Sequence, residues 1–248
     1  GTTTTNDASS TSVGNIDSVI QANTTSGFSI VTYTGNGTNN TDLGIAHGLG
    51  VAPKMVWVKN RSTAKNWQVY NSNLSADGTY GIKNFFLNLN GGEDAYSDYI
   101  KTTSSTTFTI WSDASDGVGR VNKNGDNYVA YCFAEIEGFS RFGSYIGNGN
   151  ADGTFVFTGF RPAWIIVKCT TQGSTEWHIW DNKRSETNVM NKALRANNSN
   201  TESDSTDYSI DFLSNGFKMR NSSNLDNRSG ETFIYMAFGS SFKYATAR

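Results

Sequence analysis

The stretch Val51-Ala-Pro-Lys-Met-Val-Trp-Val-Lys-Asn60 sets a proline immediately ahead of a β-branched and aromatic run. Proline fixes φ and has no N–H for a sheet ladder, so it is tolerated at the entrance of a strand and harmful in its middle. The run reads as a strand entered through a rigid corner. The chain has only two prolines. The other stands in Arg161-Pro-Ala-Trp-Ile-Ile-Val-Lys168, where Pro162 answers Pro53 and Lys168 answers Lys59. Outward from these corners the likeness continues. Gly27-Phe-Ser29 returns as Gly138-Phe-Ser140, Gly35-Asn-Gly37 as Gly147-Asn-Gly149, and Asn66-Trp-Gln-Val-Tyr70 as Glu176-Trp-His-Ile-Trp180. Gly125-Asp-Asn-Tyr-Val-Ala-Tyr-Cys-Phe133 returns as Gly230-Glu-Thr-Phe-Ile-Tyr-Met-Ala-Phe238. Four markers keep their order at separations of 111, 109, 110 and 105 positions (27 to 138, 53 to 162, 67 to 177, 125 to 230). Self-similarity at a near-fixed period implies a tandem duplication, with modules at 27–137 and 138–248 after an arm at 1–26.

The composition fits all-β modules. Of 248 residues, 36% are hydrophobic and 13% aromatic, and Gly, Ser, Thr and Asn fill most of the rest. No window sustains apolar residues at i, i+3, i+4 and i+7, so amphipathic helices are not expected. Modules of ~100–120 residues are large enough to bury a core without staples. Short apolar runs separated by turn residues predict two antiparallel β-sandwiches of jelly-roll type. Strands are expected near 28–34, 54–60, 66–70, 82–89, 107–111 and 128–136, then near 139–146, 154–158, 163–169, 176–180, 192–196, 208–213, 216–220 and 232–238. Leu213-Ser-Asn-Gly-Phe217 carries a hairpin signal. The arm, poor in large apolar groups before Ser18-Val-Ile-Gln-Ala22, reads as loose, with at most one short strand, and able to clasp a neighbour.

A net charge of −2 and a pI of about 5.7 give no basic field for a phosphate backbone, so nucleic acid is not an expected partner. No run approaches the ~18 apolar residues of a membrane span. Cys132 and Cys169 fall at non-equivalent repeat positions, and lone strand cysteines read as small buried hydrophobes. Two isolated thiols and two histidines lack metal-ligand spacing, so neither metal nor other cofactor is expected.

Candidate chemistry is sparse. Glu135-Ile-Glu137 offers two acids on one strand face, the arrangement glycoside hydrolysis uses, but no third acid follows and the corresponding stretch of the second module reads Gly239-Ser-Ser241. Asn148-Gly-Asn-Ala-Asp-Gly153 resembles the opening of a calcium loop, yet Asn replaces the first acid and Gly159 stands where a bidentate Glu is wanted. A glycine-rich turn between strands is therefore the expected reading. His47, in Ala-His-Gly-Leu-Gly, has no spaced acid or nucleophile and reads as a turn histidine.

Side chains alternate faces along a strand. Trp67 with Val69, and Trp177 with Ile179, are expected in the cores. Gln68 with Tyr70, and His178 with Trp180, fall on the other face and form one candidate glycan-contact pair per module. A sugar offers C–H faces to an aromatic ring and hydroxyls to a polar neighbour, and the i, i+2 spacing supplies both. The competing expectation is that all four pack against the other module or a neighbouring subunit.

Several longer segments resemble a known family: GFSIVTYTGNG from Gly27, HGLGVAPKMVWVKNR from His47, NYVAYCFAEIEGFSRFGSYIGNG from Asn127, TGFRPAWIIVK from Thr158, DFLSNGFKMR from Asp211 and the closing FKYATAR. They are similar to a tandem module near the C-terminus of tail-fibre-like virion proteins of tailed phages, many of them marine. The resemblance spans about residues 22–248 and brings no catalytic residue with it. It implies a non-enzymatic protein on the virion surface, assembled as a homo-oligomer, with a trimer expected. Its implied partners are other virion proteins and a bacterial surface glycan. A capsid or tail decoration protein without glycan binding is the structural alternative, and a depolymerase using Glu135 and Glu137 the enzymatic one.

Overall fold

The computed structural model describes residues 2–76, 82–95, 98–113 and 119–240, so the closing motif at 242–248 lies outside the described residues. The chain divides into two compact units, residues 1–87 with 93–134 and residues 88–92 with 135–248. The first boundary therefore falls after Ala134 rather than residue 137, and a short segment at 88–92 goes with the second unit.

The first unit runs β1 (Thr3–Asn6), a one-turn helix α1 (Ala8–Thr11), β2 (Ser18–Asn23), β3 (Phe28–Thr34), β4 (Leu43–Ala46), β5 (Met55–Asn60), β6 (Gln68–Asn71), β7 (Phe85–Phe86), β8 (Asp98–Thr103), β9 (Thr107–Ser112) and β10 (Asn127–Phe133). Its antiparallel strands form a seven-stranded sheet, β1-β2-β3-β10-β5-β6-β7, and a three-stranded sheet, β4-β9-β8. The second unit runs β11 (Ser140–Ile146), β12 (Phe155–Phe157), β13 (Pro162–Cys169), β14 (His178–Asp181), β15 (Lys192–Arg195), β16 (Ser203–Asp204), β17 (Ile210–Leu213), β18 (Gly216–Met219) and β19 (Thr232–Gly239). Its sheets are β11-β19-β13-β14-β15-β16 and β12-β18-β17. Both units are all-β sandwiches, as the turn-separated runs imply. The hairpin at 213–217 forms, with Leu213 opposite Gly216.

Strand order is the same in the two units, β3-β10-β5-β6-β7 against β11-β19-β13-β14-β15. Pro53 lies two residues before β5, and Pro162 is the first residue of β13. Individual bonds recur as well. Tyr33 donates its hydroxyl to Val121 O at 2.9 Å and Tyr145 to Asp226 O at 2.6 Å. The Tyr33 ring stacks on Tyr128 at 5.0 Å and Tyr145 on Phe233 at 5.1 Å. Lys59 Nζ donates to Lys65 O at 2.5 Å, and Lys168 Nζ to Thr175 O at 2.7 Å.

Each core lies between the two sheets of its unit. Val31, Ile45, Val56, Val58, Ile100, Phe108 and Ile110 are fully buried in the first, and Ile165, Trp180, Ile210, Phe217, Met219 and Phe233 in the second. Removing this apolar area from water is the main driving force of each fold. Cys132 and Cys169 sit in these cores as free thiols. Among the described residues no helix is long and apolar enough to cross a membrane.

Three expectations are corrected. The arm is not loose: β1 pairs with β2 and β2 with β3, so residues 3–23 extend the first sheet at its edge, and Ile16 and Ile20 join the core. The run expected at 82–89 contributes only β7. The faces of β6 and β14 are the reverse of those expected. Tyr70 and Trp180 point into the cores, while Trp67 is half-buried on the opposite face and Trp177, though buried, lies outside the inter-sheet cluster.

Candidate functional site

The four residues expected to meet a glycan are inside the protein. Gln68, His178 and Trp180 have no exposed surface and Tyr70 is 5% exposed. Gln68, His178 and Trp180 are held by protein partners, although Gln68 Oε1 and His178 Nε2 find none among the described residues. Gln68 Nε2 donates to Asn84 Oδ1 at 3.1 Å, and Trp180 Nε1 donates to Tyr208 O at 2.9 Å. His178 Nδ1 and Asp226 Oδ1 are 2.6 Å apart. None of the four can stack on a sugar ring without leaving the core.

The other candidates are equally committed. β10 ends at Phe133, so Glu135 and Glu137 do not share a strand face. Glu135 Oε1 accepts from Phe142 N at 3.1 Å and lies 3.6 Å from Arg141 Nε. In the loop at 148–153, Asn148 Oδ1 accepts from Asn150 N and Asn227 Nδ2, while Asp152 is paired with Lys218 and Arg220. Among the described residues no group of three or more His, Cys, Asp or Glu could hold a metal ion. His47 is buried. Leu49 N donates to its Nδ1 at 3.1 Å, which leaves Nε2 to donate to Ser104 O at 3.1 Å. Burial holds its pKa below the usual imidazole value, so the ring stays neutral and closes a turn.

One buried acid gives the first unit a distinctive pH response. Asp98 opens β8 beneath the backbone of Arg120, whose N–H donates to Oδ2 at 2.5 Å. Burial pushes the carboxyl up to about 6 against that hydrogen bond. The folded state therefore holds this proton more tightly than the unfolded chain, whose carboxyl titrates near 3.8. Stability from this group is complete below the unfolded value and is lost as pH rises through about 6. His47 acts oppositely, because its depressed pKa makes stability rise as pH climbs towards the ordinary imidazole range. Asp98→Asn keeps an acceptor for Arg120 N and removes the titration. Relative to the wild type, it is expected to gain on the order of 2 kcal/mol at pH 7 and much less at pH 4. Urea melts of both proteins at the two pH values measure this; a difference independent of pH would mean that Asp98 does not titrate in that window.

What the fold does leave open is a groove of about 550 Å³ across the strand ends of the first unit. The edge formed by the arm supplies Asn15, Asp17 and Val19, β3 and its exit supply Thr34 and Asn36, the end of β5 supplies Arg61, and β10 supplies Asn127. Each of these is solvent-exposed. Local bonds hold the walls: Ala8 N donates to Asp17 Oδ1 at 2.9 Å, Thr34 Oγ1 to Asn127 Oδ1 at 3.1 Å, and Arg61 N to Asn127 O at 2.7 Å. Asn122 brackets Asn36, accepting from its N at 3.0 Å and donating to its Oδ1 at 3.1 Å. The result is a shallow surface of mixed character, in which one carboxylate, one guanidinium, three amides and several hydroxyls stand beside Ile16 and Val19.

Sequence reasoning missed every residue of this groove, because it belongs partly to the arm. A signal was present in Ser18-Val-Ile-Gln-Ala22, whose alternation marks a strand able to extend the sheet at Phe28. Nothing local marks Arg61 and Asn127, which meet only after β5 and β10 pair.

Comparison with known proteins adds a family. No curated protein and no solved structure matches the chain. A family model does match residues 3–241, which takes in both units and the edge strands of the arm, and the chain belongs to the family described as Domain of unknown function (DUF7483).

Proposed function

We propose that this protein is a surface component of a tailed-phage virion that holds a bacterial surface glycan in the groove of its first unit. The observation that carries this reading is the groove itself: an open concavity lined by Asp17, Thr34, Asn36, Arg61 and Asn127. Sugar hydroxyls donate and accept at once, and a wall that alternates amides, a hydroxyl, an acid and a guanidinium satisfies both roles. Asp17 is the one carboxylate in the lining, whereas hydrolysis of a glycosidic bond ordinarily uses two, so the groove is suited to holding a glycan rather than cutting it. A single shallow site of this kind binds weakly, and display of several copies on a homotrimer or a whole particle multiplies avidity without new contacts.

The Arg61→Ala/Asn127→Ala double variant tests the reading, since both side chains are exposed and the backbone bonds of the two residues survive substitution. Retention on cells and on purified surface polysaccharide of the host bacterium is expected to fall at least tenfold, with unchanged melting. Undiminished retention would remove the groove from the receptor site.

One observation favours the second reading, a decoration protein bound to other virion subunits. Phe155 and Phe157 share a face of β12 and are 45% and 59% exposed, and Ile146 is 61% exposed. Large exposed apolar side chains of this kind mark protein contacts. Under that reading Phe157→Asp disrupts assembly and leaves glycan retention alone.

A further inference from the structure

The loop from β5 to β6 serves two surfaces. At its start Arg61 faces the groove; at its end Ala64, Lys65 and Asn66, with Lys59 and Arg120, line a separate concavity of about 400 Å³. Three of those five residues are cationic and none is acidic.

The fold holds two of the three charges, those of Lys59 and Arg120, and the loop that carries Lys65. Asn60 Oδ1 accepts from Ser62 N and Thr63 N, both at 2.8 Å, and its Nδ2 donates to Gly119 O and Asp126 Oδ2, both at 2.8 Å. Thr63 Oγ1 donates to the same Asp126 oxygen at 2.7 Å. Lys59 Nζ is fixed on Lys65 O. The Arg120 guanidinium lies over the Phe86 ring at 5.0 Å, while its backbone N–H is held by Asp98. A ligand arriving here meets positive charge already ordered, which lowers the entropic cost of binding.

The second unit shows that the fold does not require these cations. Lys59 corresponds to Lys168, Lys65 to Thr175 and Asn66 to Glu176. Val121 and Asp226 are matched by the tyrosine hydroxyl each accepts, so Arg120 corresponds to Leu225. In that unit the lysine is fully buried and bonded to Thr175, the two other cationic positions read Thr and Leu, and Asn66 is answered by an acid, Glu176. The same strand order stands without the cationic pocket.

We propose that the pocket of Lys59, Lys65 and Arg120 binds the carboxylate of a uronate carried on an acidic polysaccharide. A guanidinium presents two parallel donors to such a group, and an ammonium adds a point charge. The polysaccharide part of this statement rests on the glycan reading of the groove; the anion site itself stands on the pocket.

The test uses the full chain at low ionic strength with three probes: a galacturonic acid hexamer, a neutral maltohexaose and sodium sulfate. Binding is read by calorimetry and by amide shifts. The acidic hexamer is expected to bind, to move the amides of residues 64–66 and 120, and to weaken as salt rises. Maltohexaose is expected to leave those amides in place. Lys65→Gln/Arg120→Gln is expected to weaken the acidic hexamer at least tenfold. Lys65→Gln alone, which keeps the carbonyl that Lys59 holds and the Arg120 stack, is expected to weaken it about threefold with unchanged melting. Equal affinity in both variants, equal binding of the two hexamers, or shifts with sulfate while the acidic hexamer is inert would each overturn the proposal. The Arg61→Ala/Asn127→Ala variant separates the two sites. If it keeps host-glycan retention while the pocket variant loses the acidic hexamer, the groove reading fails and the anion site stands.

Discussion

Trp180→Ala is expected to destabilise the second unit by about 3–5 kcal/mol. The indole has no exposed surface and packs in the same cluster as Ile165, Met190, Tyr208 and Ile210. Its removal loses the transfer free energy of the ring and leaves a cavity that the surrounding strands can only partly close. It also strips Tyr208 O of the indole N–H, and an unsatisfied buried carbonyl adds its own cost. Tyr70→Ala in the first unit acts in the same direction, since that ring belongs to the corresponding core. Urea denaturation followed by near-UV circular dichroism measures both. A loss under about 1 kcal/mol for Trp180→Ala would be inconsistent with a fully packed indole. The functional corollary is that poor adsorption by either variant reports a damaged fold, so the exposed groove residues are the ones that test receptor contact.

Gly35→Ala and Gly147→Ala are expected to be the next most damaging substitutions, each lowering the stability of its own unit by about 2–3 kcal/mol. The two glycines are counterparts, at the exits of β3 and β11. A methyl group at Gly35 would lie 2.3 Å from Lys123 O, and one at Gly147 would lie 2.3 Å from Arg228 O. The backbone cannot step aside, because both glycines are bonded on two sides. Gly35 N donates to Asp126 O and its carbonyl accepts from Gly125 N; Gly147 N donates to Glu231 O and its carbonyl accepts from Gly230 N. Relief of the clash must break these bonds or displace the facing turn. Gly173→Ala is the control, since a methyl there meets nothing within 4 Å, and a change within about 0.5 kcal/mol is expected. Thermal melts of the three variants give the comparison. Equal melting of Gly147→Ala and Gly173→Ala would show that the close approach is not maintained in solution.

Much of the fold was legible in the sequence because its signals are local. Pro53 and Pro162 mark strand entrances by their missing N–H, and the apolar runs give most of the strands. The inward face of a strand is a different matter. Period-two alternation separates Trp67 and Val69 from Gln68 and Tyr70, but it does not say which pair meets the second sheet. Large apolar side chains stand on both faces of β6 and β14, so hydrophobicity alone gave the wrong answer. Burial of Gln68 is possible because Asn84, sixteen residues on, accepts from it, and burial of His178 because Asp226 lies beside it. Such distant partners leave no local trace. The groove was hidden for a related reason: its residues come from the arm, β3, β5 and β10, and only pairing assembles them.

The strand order has a consequence for synthesis. In each unit an interior strand of the large sheet, β10 between β3 and β5 and β19 between β11 and β13, is also the last of the described strands to be made. Until Asn127–Phe133 has left the ribosome, β3 and β5 lack the neighbour that joins them, and the meander β1-β2-β3 exists as a separate ribbon. The nascent chain thus carries two apolar strands, each with one edge open, for most of a module's length. Pairings of such sequence separation are slow to form, because the loop must close before any contact stabilises it. The large sheet of each unit is therefore continuous only once this late strand has paired on both of its edges.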